Sequence, residues 1–193
     1  MEENKYSRLL FYDTETVGIN PNYIISIAYM LYENGKKIDT GYIVCNPDYP
    51  ISKRASEVNG FTNESVVDKP LFKDVWPDIK HLFVDSVWIG HNSNKFDQDA
   101  MRLEFKRYGI KEPHHYNLDT MIIARGMLKK NVDVKDHKLG TLCKHFGLDI
   151  EGYHQAHIDT WACQRIFNKL VKLNGEQNGV YDNLFIPQEV CID

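Results

Sequence analysis

The feature that most constrains the fold is a set of three strand-like segments near the start of the chain. Residues 8–13 (RLLFYD) form a short apolar run with aromatic side chains, which is typical of a buried strand. Residues 22–47 contain two further strand-like segments separated by Asn34 and Gly35, two residues that tolerate positive φ. Because such a turn joins antiparallel neighbours, the sequence predicts three consecutive antiparallel strands.

The rest of the chain alternates between apolar runs and segments with helical spacing. Residues 86–92 (SVWIGHN) predict another buried strand, and residues 118–128 a short strand that runs into a helix. Helical spacing is found in four further segments: 72–83, with its first turn at Pro77, 96–109, 137–148 and 157–170. This order predicts an α/β fold in which three antiparallel meander strands and then parallel strands form one mixed sheet, flanked by helices.

Periodicity is lost after Leu173. We therefore expect one domain over residues 1–173 and a C-terminal tail over residues 174–193, packed on the domain or on a partner. Tyr181, Leu184 and Phe185 are the side chains expected to anchor that tail.

Composition and charge exclude several classes of function. The chain has 193 residues, a formal net charge of −4 and 42% hydrophobic residues, which is typical of one globular domain and not of a basic protein that coats nucleic acid. Its four cysteines show no CxxC spacing, so we expect no structural zinc site and free thiols in a reducing cytoplasm. No apolar run predicts a membrane span or a signal peptide.

Carboxylates near predicted strand ends are the candidate chemical groups. Asp13 and Glu15 are two residues apart on the first strand, so both side chains point to the same face. Two adjacent acids repel each other unless a cation lies between them. Asp97 follows the strand at 86–92 and opens a helix, whose positive end stabilises a carboxylate; a helix cap is the alternative role, and Asp99 is a competitor.

The last predicted helix adds a fourth acid and a histidine. Asp159 borders the apolar stripe of this helix. His154 would point away from Asp159 on one continuous helix, so we expect it in the segment that precedes the helix. His157 is a rival candidate, one helical turn from His154.

Three motifs in this order resemble those of the DEDDh, or DnaQ-like, exonucleases. They are D-T-E at residues 13–15, H-N-x-x-x-F-D at 91–97 and H-x-A-x-x-D at 154–159, and the resemblance runs from about Leu9 to about Leu170. It implies a ribonuclease H-like fold with a five-stranded mixed sheet. It also implies two divalent cations, Mg²⁺ or Mn²⁺, and release of nucleoside 5′-monophosphates from a 3′ end.

The resemblance assigns roles residue by residue. It implies that the metal-binding and catalytic acids are Asp13, Glu15, Asp97 and Asp159, with His154 as the general base. His157, Asp99 and Asp119 fall outside this set. Two departures concern the grip on substrate: Val17 and Tyr153 stand where many members have Thr and Arg.

Residues close to these acids are candidates for contact with the terminal nucleotide. We predict that Thr16 and Gly18 present a hydroxyl and backbone groups, and that Ile19 wedges against a base. The remaining candidates are Thr14, Asn92 and Phe96.

The expected partners are nucleic-acid 3′ ends, single-stranded or frayed, because the basic residues form no continuous stripe. DNA repair or proofreading is one setting, with a homodimer or a polymerase-type protein as the protein partner; no membrane contact is expected. A catalytically silent nucleic-acid-binding or interaction subunit with the same fold is the alternative, and a metal phosphomonoesterase is a third. The sequence does not decide between DNA and RNA, since no residue that senses the 2′-hydroxyl is identifiable.

Overall fold

One mixed sheet forms the centre of the protein. The structure is a computed structural model that describes residues 7–150, 155–178 and 188–190. In the order β3-β2-β1-β4-β5-β6, the sheet contains six strands within the described residues. They are β1 (Arg8–Thr16), β2 (Ile24–Glu33), β3 (Lys36–Val44), β4 (Val87–Gly90), β5 (His115–Asp119) and β6 (Gln188–Val190).

The helices cover both faces of this sheet. Their bounds are α1 (Lys53–Asn59), α2 (Asn63–Val66), α3 (Phe72–Phe83), α4 (Asp97–Tyr108), α5 (Thr120–Met127), α6 (Leu139–His145) and α7 (Ala156–Asn178). Side chains alternate along β1, so Leu10 and Tyr12 pack with α3 and α4 while Phe11 packs with α5, α6 and α7. Both faces of β1 are therefore buried, which explains why its sequence is an apolar run. No helix within the described ranges is long and apolar enough to cross a membrane.

The predicted order of strands is confirmed. β1 pairs antiparallel with β2, β2 pairs antiparallel with β3, and β1, β4 and β5 run parallel. The β2–β3 turn has positive φ at both Asn34 and Gly35, as a tight hairpin turn requires.

Two expectations about the outer elements need correction. Helix α3 begins at Phe72, and Pro77 lies inside it. The proline removes one backbone hydrogen bond, but the helix still buries Phe72 and Trp76, whose rings stack 5.8 Å apart between centroids. Burial of these aromatic side chains explains why the helix includes the turn before the proline.

The C-terminal part also differs from the expectation. Helix α7 continues past Leu173 to Asn178, and Asn174 is buried, so the helix does not end where the apolar periodicity does. The three residues of β6 add a sixth strand, antiparallel to β5, to the five that were predicted. Tyr181, Leu184 and Phe185 lie outside the described residues, so their anchoring role stays a prediction.

The unequal length of the central strands creates the space for a site. The β1–β4 pairing ends at Phe11 and Ile89, and β4 itself ends at Gly90, whereas β1 continues along β2 to Thr16. Among the described residues, therefore, no strand pairs with the second half of β1 on its β4 side. The turn between β4 and α4 enters that space, passing so close to Gly90 that a Cβ atom there would overlap the side chain of Ser93.

We expect Gly90→Ala to destabilise the protein by roughly 1–3 kcal/mol, because the added methyl group overpacks this turn. Urea unfolding of the variant and the wild type measures the difference. Gly175→Ala is the matched control: its Cβ meets no atom within 4 Å, and alanine is favoured in a helix, so this variant is expected to gain stability. Combining Gly90→Ala with Ser93→Gly is expected to recover part of the loss. A Gly90→Ala variant as stable as the wild type would contradict the close approach.

Candidate active site

Three carboxylates converge at the open part of β1. Asp13 and Glu15 project from the same face of the strand, and Asp159 lies in the first turn of α7, which packs on β1 and β2. One carboxylate oxygen from each of the three residues lies within 4.8 Å of the others. The packing of α7 on the sheet thus brings together acids that are far apart in the sequence.

Asp97 joins this group from the other side of β1. It is the first residue of α4, it is buried, and its Oδ1 accepts hydrogen bonds from the backbone N–H of Thr14 at 2.9 Å and from the Thr14 hydroxyl at 2.7 Å. The helix N-terminus also favours a negative charge at this position. Asp97 is therefore fixed to the strand residue that lies between Asp13 and Glu15.

The electrostatics of the cluster oppose full ionisation. Burial raises the pKa of Asp13 well above its ordinary value, and the nearby Asp97, Asp159 and Glu15 raise it further. Burial, then Asp159 and Asp97, raise the pKa of Glu15 to about 8, although a hydrogen bond with Asn59 works in the opposite direction. These carboxylates favour a shared proton or a bound cation over a set of bare negative charges.

The pKa of Asp97 is raised to about 7, and burial is the main cause. Its hydrogen bonds with Thr14 lower this pKa, whereas the charge of Asp119 raises it. The two hydrogen bonds from Thr14 hold Asp97 in place independently of any cation.

A cleft of about 580 Å³ lies beside Glu15. Its lining residues are Glu15, Thr16, Gly18, Ile19, Asn20, Ser52, Arg54, Ala55, Val58, Asn59 and Phe96. Ile19 stands at this cleft with 74% of its surface exposed, unusually high for an isoleucine. Four of the predicted substrate contacts, Thr16, Gly18, Ile19 and Phe96, thus share one surface with a member of the carboxylate cluster.

Two other predicted substrate contacts, Thr14 and Asn92, have hydrogen-bonding groups that are engaged within the protein. The N–H and the hydroxyl of Thr14 both donate to Asp97, so neither faces the cleft. Asn92 adopts left-handed backbone geometry, and its N–H donates to Asp119 at 2.9 Å. Thr14 binds Asp97 directly, and Asn92 belongs to the turn that precedes Asp97. Contact of either residue with a nucleotide stays a prediction.

The two rival candidates, Asp99 and His157, are both exposed and each contacts another side chain. Asp99 is exposed and lies 3.9 Å from Arg102. His157 is exposed, and its ring contacts Tyr42 edge-on with 5.3 Å between the centroids. His154 lies outside the described residues, so its role stays a prediction.

Sequence reasoning missed three residues that the structure places at or beside the site. Arg54 lines the cleft, and Asn59 does so while its side chain donates to the Thr16 carbonyl at 3.2 Å and bonds to Glu15. Asp119 supports the turn before Asp97. Asn59 lies in VNGFTNESV (58–66) and Asp119 in LDT (118–120), two segments without a chemical motif of their own, and Arg54 is part of a local basic pair with Lys53.

The chain is similar in sequence to known exonucleases and DNA polymerases. Residues 10–167 match the RNase T exonuclease family. The chain is 28% identical over 184 residues to the PolC-type DNA polymerase III of Bacillus subtilis, covering 94% of this chain and 12% of that protein. The Bacillus cereus PolC-type protein is also 28% identical, over 163 residues, with 83% and 11% covered. The chain therefore spans about an eighth of the length of these relatives.

Two solved structures share the fold. Exonuclease X in complex with 5′-overhanging duplex DNA aligns with a TM-score of 0.69 and 24% identity, covering 90% of this chain and 94% of that chain. E. coli Exonuclease I in complex with a dT13 oligonucleotide aligns with a TM-score of 0.74 and 24% identity, covering 89% and 42%. The sheet order, the position of the acids and the match over residues 10–167 lead to one assignment: the chain carries a ribonuclease H-like exonuclease domain and belongs to the RNase T exonuclease family.

Proposed function

We propose that this protein is a metal-dependent exonuclease that hydrolyses phosphodiester bonds at the 3′ end of a nucleic acid and releases nucleoside 5′-monophosphates. The observation that carries the proposal is the convergence of Asp13, Glu15 and Asp159 within 4.8 Å beside a cleft open at Ile19. The family match supports nuclease chemistry, and the 3′-to-5′ direction is our inference from the motif resemblance.

The residues present fit a pair of divalent cations. Carboxylate oxygens are hard ligands that suit Mg²⁺ or Mn²⁺. The raised pKa values of Asp13 and Glu15 reflect burial first and then neighbouring negative charge, which a cation would compensate. Asp13, Glu15, Asp97 and Asp159 would hold the two ions. When bound, such ions activate water and stabilise the leaving oxygen of a phosphodiester.

The protein's own groups bind and orient the substrate. In this proposal the apolar side chains of Ile19 and Phe96 contact the terminal base, Arg54 attracts a backbone phosphate, and Thr16 and Gly18 shape the cleft next to Glu15. His154 takes the proton from the attacking water, as a side chain whose ordinary pKa lies near neutrality can do.

DNA is the substrate we favour, with single-stranded or frayed 3′ ends. Related folds were solved with 5′-overhanging duplex DNA and with dT13, and the PolC-type relatives are DNA polymerases. A proofreading or repair role beside a polymerase-type partner follows from this similarity, and RNA serves as the comparison substrate. The free thiols of Cys45, Cys143 and Cys163 accord with our proposal of a cytoplasmic protein.

The first experiment combines cleavage direction with substitution of the acids and the base. With Mn²⁺ or Mg²⁺ we expect stepwise shortening of a 5′-labelled single-stranded DNA and immediate release of a 3′ label as mononucleotide. Asp13→Asn should abolish the activity, and His154→Ala should reduce kcat by roughly 10²–10⁴-fold, the usual contribution of a general base.

Matched controls are available at exposed positions of α4 and α7. Asp99→Asn and His157→Ala remove an exposed carboxylate and an exposed imidazole and should keep near wild-type kcat. Cleavage that persists in EDTA, or removal of nucleotides from the 5′ end, would refute the proposal. Equal loss in His154→Ala and His157→Ala would refute the assignment of the base.

The second prediction concerns pH and the metal-free protein. The pKa of Glu15 is about 8 in the folded protein against an ordinary 4.5, so between these values the folded state keeps a proton that the unfolded chain has lost. Stability of the metal-free protein must then fall as pH rises through this window. In EDTA we expect Tm at pH 8 to lie roughly 2–6 °C below Tm at pH 6.5.

Thermal unfolding with and without Mn²⁺ measures the effect. The ions should raise Tm more at pH 8 than at pH 6.5, because binding needs ionised carboxylates. Glu15→Gln should flatten the pH dependence in EDTA. An equal slope in wild type and Glu15→Gln would show that Glu15 is not the titrating group.

The third prediction concerns the cleft. Ile19→Ala should raise KM for single-stranded DNA about 10-fold with little change in kcat, because it removes apolar surface that covers the terminal base, worth roughly 1–1.5 kcal/mol. Val132→Ala is the matched control: Val132 is 77% exposed and does not line the cleft. Steady-state kinetics with one oligonucleotide measure KM and kcat of both variants and the wild type. A loss confined to kcat in Ile19→Ala would be evidence against a base contact.

A further inference from the structure

Asp119 is a buried carboxylate outside the acid cluster that accepts hydrogen bonds from the turn leading to Asp97. It is the last residue of β5, it is only 5% exposed, and it pairs in register with Gly90, the last residue of β4. The chain that leaves Gly90 forms the turn that leads to Asp97. Asp119 is thus the residue of the neighbouring strand that lies beside the start of this turn.

Three backbone N–H groups donate to the Asp119 carboxylate. Oδ1 accepts from Asn92 and from Met121, both at 2.9 Å, and Oδ2 accepts from Asn94 at 3.2 Å. The bond from Met121 caps α5, which needs only Oδ1. The other two bonds join β5 to the β4–α4 turn, and Oδ2 serves that turn alone.

The turn before Asp97 has an irregular backbone. Asn92 is in the left-handed region, residues Ser93–Lys95 form one 3₁₀ turn, and Phe96 precedes α4 without a side-chain cap. Among the described residues, four other side-chain hydrogen bonds reach residues 91–96: from Asn117 to Asn94, from Asn22 to the Phe96 carbonyl, and from His91 to Thr120 and to the His137 carbonyl. Without Asp119, two N–H groups of this half-buried turn lose their acceptors.

We propose that Asp119 is a positioning residue that holds the β4–α4 turn so that the Asp97 carboxylate reaches Thr14 and completes the acid cluster. This inference rests on the proposed function, since it assigns to Asp119 a share of the affinity for the divalent cations. Supporting groups of this kind, one step removed from the ligands, usually matter for metal affinity almost as much as the ligands do.

Asp119→Ser and Asp119→Asn separate this role from the capping of α5. Serine keeps a cap for α5 but is too short to reach the turn. Asparagine keeps Oδ1 for Asn92 and Met121 and offers no acceptor to Asn94. We expect the Kd for Mn²⁺, measured by titration with electron paramagnetic resonance of free Mn²⁺, to rise roughly 10–100-fold in the serine variant and less in the asparagine variant.

Kinetics give a second readout. The Mn²⁺ concentration for half-maximal rate should rise with the Kd in both variants, while KM for the oligonucleotide stays near the wild-type value and high Mn²⁺ restores part of kcat. Asp133→Asn is the control. Asp133 lies on an exposed turn, where its carboxylate accepts a hydrogen bond from the backbone N–H of Lys129 at 2.7 Å. The substitution removes one negative charge and one such carboxylate. Its Kd for Mn²⁺ should match the wild type.

The outcomes are distinguishable. A wild-type Kd in Asp119→Ser, or equal losses in the serine and asparagine variants, which would indicate an effect of charge alone, would overturn the proposal. If Asp119→Ser does not fold, the Kd for Mn²⁺ of Asp119→Asn is compared with that of Asp133→Asn, and equal values would overturn the proposal. A wild-type protein that binds Mn²⁺ but cleaves nothing would refute the nuclease function and leave the Kd comparison valid, whereas one that binds no Mn²⁺ refutes both.

Discussion

The paired hydrogen bonds from Thr14 to Asp97 are the contact on which the site depends. They join residues 83 positions apart, and they occupy the place beside β1 where β4 has already ended. A strand at this position would have satisfied the backbone of Thr14 without bringing a charge. The Asp97 carboxylate satisfies the Thr14 backbone and also brings a negative charge. The same contact thus completes the edge of the sheet and places an acid next to Asp13.

The convergence of the acids lowers the stability of the metal-free protein, and the proposed cations would offset that loss. Asp13, Glu15 and Asp159 are brought within 4.8 Å by the packing of α7, even though burial and mutual repulsion raise the pKa values of Asp13 and Glu15. The apolar clusters on both faces of the sheet supply the free energy that holds the acids together. Strain of this kind is expected where a fold is organised in advance for a charged ligand.

Sequence reasoning reached the parts of the structure that are encoded locally. The Asn34-Gly35 turn and the spacing of Asp13 and Glu15 depend on neighbouring residues and were readable. The inward orientation of Thr14 and the support from Asp119 depend on backbone groups far along the chain, which no local pattern reveals. β6 was missed for a related reason: three residues paired with β5 carry no periodicity of their own.

The position of Asp159 in the chain also determines when the cluster can exist. Asp13 and Glu15 are synthesised early, and β1 and β2 can pair as soon as both have left the ribosome, but α7 follows every strand from β1 to β5. Until α7 docks on β1 and β2, the two acids of β1 face water, where their mutual repulsion is small. During synthesis the cluster can therefore form only after α7 has left the ribosome, so the proposed cation site arises after β1 to β5 have been made.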